Sequence, residues 1–239
     1  MSGTVTLLLV RHGLTPLTGG SLAGRTPGVH LDDRGRAQAA AVARRLAPLD
    51  LAAIVTSPLE RCRETAEAIA GANPDAPAPV IDDRFSECDY GEWTGRTLKE
   101  LAEEPMWRVV QQHPSAARFP GGEGLAETAH RAVGAVRDWN TRLLAGHAQP
   151  VYLVCSHGDV IKAIVADALG LHLDQFQRVT ADPCSVTAIR YTETRPFVLR
   201  SNDVGGSIDG LAPSAETSGD AVVGGGAGAV PAGESHVVP

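Results

Sequence analysis

The strongest constraint on the fold of this chain is a pair of short apolar segments, each followed by a His-Gly dipeptide. Residues 4–10 and 151–155 are mostly apolar, which is typical of strands buried on both faces of a sheet. Residues 158–169, after the second segment, have helical periodicity. His12 and His157 are therefore expected at the carboxyl ends of two buried strands, where ligands bind in open α/β sheets.

The rest of the chain alternates strand-like and helix-like segments. Residues 31–46 predict an amphipathic helix that is capped by Asp32 or Asp33 and ends before Pro48. The same pattern predicts further strands at 51–56, 80–81, 185–191 and 197–200. It also predicts further helices at 59–69, 98–112 and 123–144, of which the first is capped by Ser57-Pro58 and the second is broken at Pro105. Such alternation predicts an α/β fold with a mostly parallel central sheet.

Length and composition predict one globular domain with a tail. The 239 residues are 43% hydrophobic and 21% charged, as in ordinary globular proteins. A single domain is expected over residues 1–210. Residues 211–239 are rich in Gly, Ala, Val, Pro and Ser and contain no Phe, Trp or Tyr, which predicts a disordered tail.

Charge and segment patterns argue against several classes of partner. The net charge of -7 disfavours nonspecific nucleic-acid binding, which requires a basic excess. No apolar run approaches the ~20 residues that cross a bilayer, and the start of the chain lacks the pattern of a secretion signal. The four cysteines are scattered without the spacing of a zinc site or a disulfide framework. A cytoplasmic protein with buried, unreactive thiols is expected.

Two arginine-containing segments are candidates for phosphate binding. Arg11-His12-Gly13 joins a guanidinium suited to phosphate, an imidazole and a residue that permits close ligand approach. Taken alone, such a tripeptide is more often a solvated turn. Arg61 lies in the first turn of a predicted helix, where helix geometry favours anions, although charges at such positions more often pair with each other in solvent.

Two further segments add candidate chemistry. Ser156-His157-Gly158 repeats the His-Gly turn after a second strand. Residues 86–95 place carboxylates beside aromatic side chains, where partial burial can raise a carboxyl pKa enough for general-acid catalysis. Spacing alone does not decide which of these carboxylates acts.

In this order, the segments resemble the histidine phosphatase superfamily, in its phosphoglycerate mutase-like branch. The residues that match are Arg11-His12-Gly13, Ser57-Pro58 with Arg61 and Thr65, Glu87 with Gly91, Trp93 and Gly95, and Ser156-His157-Gly158. The resemblance covers residues 4–204 and implies the three-layer α/β/α sandwich of that family. The subgroup that the chain most resembles is described only as phosphomutase-like.

The resemblance implies a role for each matched side chain. His12 is the expected nucleophile and forms a phosphohistidine, and Glu87 is the expected proton donor. The phosphoryl oxygens are expected to contact Arg11, Arg61 and His157. Thr18 and Gly158 are also expected to contact the substrate. These cationic and polar groups would stabilise phosphoryl transfer without a metal ion or cofactor, and the arginines would disfavour protonation of His12.

Two departures from the family pattern bear on the reaction. Leu14 stands where the family often has an acid. Thr18 stands where the family often has an asparagine, and its hydroxyl can still donate one hydrogen bond. The segment around Glu87 is similar to the phosphatase-type pattern, whereas glycolytic mutases carry Arg-x-Tyr-Gly. The leading hypothesis is a metal-independent phosphomonoesterase acting on a small phosphorylated metabolite. The alternatives are a phosphomutase of the bisphosphoglycerate-dependent type and a noncatalytic phospho-ligand-binding protein.

The sequence does not fix the substrate. Selectivity is expected from residues 19–29 and 97–122, which contain Arg25, Trp107, Arg108, His113 and Arg118 as candidates, with ordinary surface positions as the alternative. Dimers are common in the resembled family, so a homodimer is suggested, although the sequence offers no test of it.

Overall fold

The fold is that of a computed structural model, which describes residues 3–206 together with Gly224 and Gly226. Its six strands are β1 Val5–Arg11, β2 Ala53–Thr56, β3 Val80–Ile81, β4 Val151–Ser156, β5 Val186–Tyr191 and β6 Pro196–Asp203. They form one sheet in the order β3-β2-β4-β1-β5-β6. Strands β1 to β4 are parallel to one another, and β5 runs antiparallel to both of its neighbours, β1 and β6. The predicted, mostly parallel sheet is confirmed.

Helices cover both faces of this sheet. They are α1 Asp33–Leu46, α2 Glu60–Gly71, α3 Leu98–Leu101, α4 Trp107–Gln112, α5 Leu125–Gly146 and α6 Gly158–Ala168. Alternate residues of β1 point to opposite faces: Leu8 and Val10 pack with α1 and α2, whereas Leu7 and Leu9 pack with α5 and α6. The three-layer α/β/α sandwich is therefore confirmed.

Of the helix caps predicted for α1 and α2, the one for α1 is confirmed and the one for α2 is not. Asp32 caps α1, because its side chain accepts a hydrogen bond from the backbone nitrogen of Gly35 at 2.7 Å. The prediction that Ser57 caps α2 was wrong. The cap position is Leu59, which makes no side-chain bond there. Ser57 instead continues the sheet ladder, since its backbone nitrogen donates to the carbonyl oxygen of Cys155.

A third apolar cluster lies outside the two main layers. The predicted break at Pro105 is confirmed, because it falls between α3 and α4. The irregular stretch near Glu87 contains short 3-10 turns at Asp83–Phe85 and Gly91–Trp93, and further turns at Pro114–Ala116 and Leu173–Arg178 were not predicted. Side chains from these segments form the cluster, which includes Leu22, Tyr90, Trp93, Phe119 and Phe176.

Several predictions concern the chain outside the sheet. The predicted tail, residues 211–239, lies outside the described residues except for Gly224 and Gly226. All four cysteines are buried and free of disulfides, as expected. Within the part of the chain that the structure describes, no helix has the length and apolarity needed to span a bilayer.

Candidate active site

The two His-Gly turns meet at the carboxyl ends of neighbouring parallel strands. The register pairs Arg11 of β1 with Ser156 of β4, and the backbone nitrogen of His12 donates to the carbonyl oxygen of Ser156 at 3.0 Å. The rings of His12 and His157 consequently lie edge to face, with centroids 5.3 Å apart. The structure brings together the two histidines that the sequence singled out.

Close backbone packing fixes the turn that carries His12. The nitrogen of Gly13 donates to Oγ1 of Thr65 at 3.2 Å, and the nitrogen of Leu14 donates to Oε1 of Gln38 at 3.0 Å. A Cβ atom on Gly13 would lie 2.6 Å from the carbonyl oxygen of Gly35 in α1. The neighbour that requires a glycine here is thus the backbone of α1, whereas the sequence interpretation assigned this space to a ligand.

His12 is held as a neutral ring with one nitrogen free of a proton. Its Nδ1 lies 2.7 Å from the carbonyl oxygen of Gly13. A carbonyl can only accept, so Nδ1 carries the hydrogen and Nε2 keeps a lone pair. Burial holds the pKa of His12 well below its usual value, and the charges of Arg61 and Arg11 lower it further. The expected neutral imidazole is what this geometry provides.

Arg61 reaches both histidines from the first turn of α2. Its Nε donates toward Nε2 of His12 at 3.3 Å, and its Nη2 donates to Nδ1 of His157 at 3.3 Å and to the carbonyl oxygen of Gly24 at 2.7 Å. The side chain is buried, at 1% exposure. Its Nη1 is also buried and has no hydrogen-bond partner among the described residues. Since a buried charged donor without an acceptor is costly, this atom is suited to an oxygen of an anionic ligand.

His157 is fully buried against Arg61 and Ser57. Because its Nδ1 accepts from Arg61, its Nε2 carries the hydrogen and donates to Oγ of Ser57 at 2.8 Å. Burial, followed by the charge of Arg61, holds the pKa of His157 well below its usual value. Neither His157 nor Gly158, the first residue of α6, is among the described residues that line the cavity. Their contact with a substrate stays a prediction.

Glu87 supplies a buried carboxyl group close to His157. Its Oε1 accepts from the backbone nitrogen of Cys88 at 3.0 Å, and its Oε2 lies 3.9 Å from Nδ1 of His157. Burial raises the pKa of Glu87 to about 7, and the charge of Asp159 adds to this rise, while the Cys88 amide and the charges of Arg61 and Arg11 oppose it. A carboxyl group with this pKa can both give and take a proton near neutral pH.

A cavity of about 400 Å³ opens onto these groups. Its polar lining is formed by Arg11, His12, Thr15, Thr18, Ser21, Arg61, Glu87 and Tyr90. Thr18 belongs to this lining, and its Oγ1 accepts from the backbone nitrogen of Thr15 at 3.0 Å, while its contact with a substrate stays a prediction. Within residues 3–206 and the two described tail glycines, no cluster of His, Cys, Asp or Glu side chains is arranged to hold a metal ion.

The segments expected to give selectivity contribute unequally to the cavity. Residues 19–24 supply five lining positions, namely Gly19, Ser21, Leu22, Ala23 and Gly24, whereas 97–122 supplies Leu98. The five candidate side chains named from the sequence do not belong to the described lining. Arg25, for example, donates to the backbone oxygen of Glu87 at 2.8 Å, and Trp107 stacks on Trp93.

Sequence reasoning missed the contacts made by Asp159 and by two glycines of the tail. Asp159 directly follows the Ser156-His157-Gly158 turn and is buried, and its carboxylate accepts a hydrogen bond from the hydroxyl of Tyr90. The nitrogen of Gly224 donates to this carboxylate, and the carbonyl oxygen of Gly226 accepts from Nη1 of Arg11. The available signal for Asp159 was its place next to the motif, at the start of an apolar helix.

Comparison with known proteins assigns this arrangement to a family. Residues 7–204 match the model of the histidine phosphatase superfamily, branch 1. This chain belongs to that superfamily. The match coincides closely with residues 4–204, the range over which the motifs resemble the family, and confirms that resemblance. It also confirms the prediction of a phosphoglycerate mutase-like phosphatase fold.

The relatives of this histidine phosphatase include enzymes named for two reactions. Phosphoserine phosphatase 1 of Hydrogenobacter thermophilus is 32% identical over 204 residues, which cover 83% of this chain and 92% of the relative. Glucosyl-3-phosphoglycerate phosphatase of Mycolicibacterium vanbaalenii is 35% identical over 179 residues, covering 71% and 76%. A 2,3-bisphosphoglycerate-dependent phosphoglycerate mutase of Gloeobacter violaceus is 31% identical over 198 residues, covering 80% and 88%.

A solved structure has the same fold as this histidine phosphatase. YhfR of Bacillus stearothermophilus superimposes with a TM-score of 0.72 at 28% identity, covering 83% of this chain and 97% of the other. The prediction of a phosphatase of this family is confirmed by these comparisons taken together.

Proposed function

We propose that this histidine phosphatase hydrolyses small phosphate monoesters through a phosphohistidine formed on His12, without a metal ion. One observation carries the proposal. The unprotonated Nε2 of His12 lies beside Arg61, whose buried Nη1 has no hydrogen-bond partner among the described residues. A nucleophile and an anion-binding donor are thus presented to the same cavity.

In the first step, Nε2 of His12 attacks the phosphorus atom of the ester. The N–P bond forms as the bond from phosphorus to the ester oxygen breaks. Glu87 gives its proton to the departing alkoxide, and its pKa of about 7 keeps it largely protonated in mildly acidic solution. The guanidiniums of Arg61 and Arg11 stabilise the charge on the phosphoryl oxygens, which is the main electrostatic contribution in such transfers.

In the second step, water attacks the phosphohistidine. Glu87 is now ionised and takes a proton from the water as the new O–P bond forms and the N–P bond breaks. Inorganic phosphate leaves, and His12 and Glu87 return to their starting protonation states. Each proton given up in the first step is therefore recovered in the second.

The mutase alternative is favoured by one kind of observation, since relatives named as mutases align with most of the chain. Hydrolysis and mutation share the phosphohistidine and differ in its acceptor. The sequence around Glu87 supports hydrolysis, because it resembles the phosphatase-type pattern. A noncatalytic phosphate-binding role is not supported by the neutral nucleophile and the raised carboxyl pKa.

The test compares wild type, His12→Ala and His147→Ala with 4-nitrophenyl phosphate in the presence of a chelator. His147 is an exposed histidine that follows α5 and serves as the matched control. His12→Ala is expected to lower kcat/KM by more than about 10³-fold, because the covalent route is lost, and His147→Ala to leave it unchanged. Equal turnover in wild type and His12→Ala would overturn the proposal.

Labelled phosphate separates the two reactions. Wild type incubated with a labelled ester and quenched in alkali, in which phosphohistidine survives, should carry label that His12→Ala lacks. Release of that label as inorganic phosphate supports hydrolysis. Its transfer to an added phosphoglycerate, in preference to water, identifies a mutase instead.

A further inference from the structure

The carboxylate of Asp159 lies beside the cavity and has no step in phosphoryl transfer. Asp159 is in the first turn of α6 and is 1% exposed. The hydroxyl of Tyr90, which lines the cavity, donates to its Oδ2 at 2.7 Å. Nζ of Lys162 lies 3.6 Å from its Oδ1. A charged side chain placed this deeply needs a reason, because burial of a carboxylate is costly unless its oxygens are matched.

Oδ2 of Asp159 is buried directly behind residues of the cavity lining. The backbone nitrogen of Gly224 donates to it at 3.1 Å, and Gly224 itself lines the cavity. A carboxylate oxygen can accept more than one hydrogen bond, so a donor in the cavity that takes the place of Gly224 can bind Oδ2 in addition to Tyr90. Oδ1 faces the ammonium group of Lys162, so the position that Gly224 takes on Oδ2 is the one that a donor of a ligand can occupy.

Two described glycines of the tail contact Arg11 and Asp159. The carbonyl oxygen of Gly226 accepts from Nη1 of Arg11 at 2.5 Å, while the nitrogen of Gly224 donates to Asp159. A carbonyl acceptor thus meets the guanidinium that is expected to bind the phosphoryl group, and a backbone donor meets the carboxylate. A phosphate ester whose leaving group carries a donor presents the same two groups in the same order.

We propose that Asp159 is a specificity-determining residue, whose Oδ2 binds an ammonium group on the leaving group of the substrate, so that aminoalkyl phosphate esters are the preferred class. This inference rests on the proposed function. An ammonium group is favoured over a hydroxyl because hydrogen bonds between charged partners are the stronger kind, and more so in a buried site. A site built to bind a donor rejects analogues that lack it, because its own acceptor is then left unpaired.

The experiment measures kcat/KM of the full-length chain for matched pairs of esters. The amino esters are 2-aminoethyl, 3-aminopropyl and 4-aminobutyl phosphate, and each is paired with the n-alkyl phosphate of equal chain length, in which methyl replaces ammonium. Three lengths are used because the span from the phosphoryl group to Asp159 depends on the pose of the ester. The wild type is expected to prefer the best amino ester over its alkyl partner by about 10-fold or more.

The variants are Asp159→Asn and, as a matched control, Asp167→Asn. Asp167 is another aspartate of α6, which pairs with Arg137 at the surface. The ratio of amino to alkyl ester is compared within each variant, because Asp159 also bears on the pKa of Glu87 and its substitution changes the chemistry for both esters alike. Asp159→Asn should lower the ratio by about 10-fold, and Asp167→Asn should leave it as in wild type.

The outcomes separate this inference from the proposed function. Wild type that hydrolyses 4-nitrophenyl phosphate and both members of each pair with equal efficiency overturns the inference and leaves the function in place. An unchanged ratio in Asp159→Asn, or an equal loss in Asp167→Asn, overturns it as well. Wild type that hydrolyses none of these esters overturns the proposed function itself.

Discussion

Nε of Arg61 lies 3.3 Å from Nε2 of His12, the ring nitrogen that carries no proton. The guanidinium therefore does two things at once. Its charge disfavours protonation of His12, and its Nη1, which has no hydrogen-bond partner among the described residues, belongs to a side chain that lines the same cavity as His12. Nucleophile and anion binding are thus linked through one side chain.

Replacing Arg61 with Lys tests this link. Lysine keeps the charge but lacks the planar fork that reaches His12, His157 and a ligand oxygen together. Arg61→Lys is expected to lower kcat/KM for 4-nitrophenyl phosphate by about 10²-fold. The control is Arg63→Lys, an exposed position on the same helix that pairs only loosely with Glu67. Comparable losses in both variants would contradict the special position of Arg61.

The pH dependence of turnover should follow Glu87 on the alkaline side. Its pKa is raised to about 7 by burial and by Asp159, against the charges of Arg61 and Arg11, and the protonated form is the one that assists the leaving group. Activity is expected to fall as the pH rises through about 7. On the acidic side it should persist well below pH 6.5, because the pKa of His12 is lowered well below that value.

The variant that tests this assignment is Glu87→Gln, with Glu92→Gln at an exposed position as its control. The alkaline fall in kcat should disappear from the residual activity of Glu87→Gln and remain in Glu92→Gln. A wild-type profile that is flat between pH 5 and 9 would exclude Glu87 as the proton donor.

Burial of Glu87 also gives folding a pH dependence of opposite sign to that of most carboxylates. Between the ordinary pKa of 4.5 and about 7, the unfolded chain releases the proton while the folded chain keeps it. The contribution of Glu87 to the free energy of unfolding is therefore present at low pH and is lost as the pH rises. Denaturant unfolding gives the free energy of unfolding of wild type and of Glu87→Gln at each pH. The value for wild type minus the value for Glu87→Gln should be about 2 kcal/mol lower at pH 8 than at pH 5. A constant difference between the two proteins would contradict this reasoning.

Gly35 is predicted to be a helical glycine that cannot be replaced by alanine. Alanine normally stabilises a helix by up to about 1 kcal/mol over glycine. At Gly35, however, an added Cβ would lie 2.0 Å from the carbonyl oxygen of Leu14, two residues after His12. Gly35→Ala should lower both the melting temperature and kcat. Gly134→Ala in α5, where no atom lies within 4 Å of the added Cβ, should keep or raise the melting temperature. Equal behaviour of the two variants would contradict the packing argument.

The tail glycines should compete with the substrate. Gly226 accepts from Arg11 and Gly224 donates to Asp159, so both glycines use groups that a ligand would need. A chain that ends at Gly206 is expected to show a KM several-fold lower than the full-length chain, with kcat little changed, because the fraction of open sites rises. A synthetic peptide of residues 221–229, added to the shortened chain, should raise KM again. Identical KM values for both chains would show that these contacts do not limit access.

The sequence predicted the sheet and the meeting of the two histidines because both follow from local patterns. Apolar runs identify buried strands, and the carboxyl ends of parallel strands meet at one edge. The prediction that Ser57 caps α2 was wrong because the local sequence does not tell a cap residue from a residue that still belongs to the hydrogen-bonded strand. Here the backbone of Ser57 remains bonded to Cys155.

Contacts between distant segments explain what the sequence did not predict. Asp159 looks like an ordinary acid at a helix start, and only the fold places Tyr90 against it. Likewise, the role of Gly13 depends on the backbone of Gly35, which approaches from another element. Neither neighbour leaves a periodic signal in the chain.

The position of β1 between β4 and β5 has a consequence for synthesis of the protein. The strand that carries Arg11 and precedes His12 is made first, but both of its partners in the sheet come from the second half of the chain. As long as β4 has not emerged from the ribosome, β1 lacks this partner strand, and His157 is not available to lie beside His12. The active site can consequently form only late in synthesis, after β1 has paired with strands from the second half of the chain.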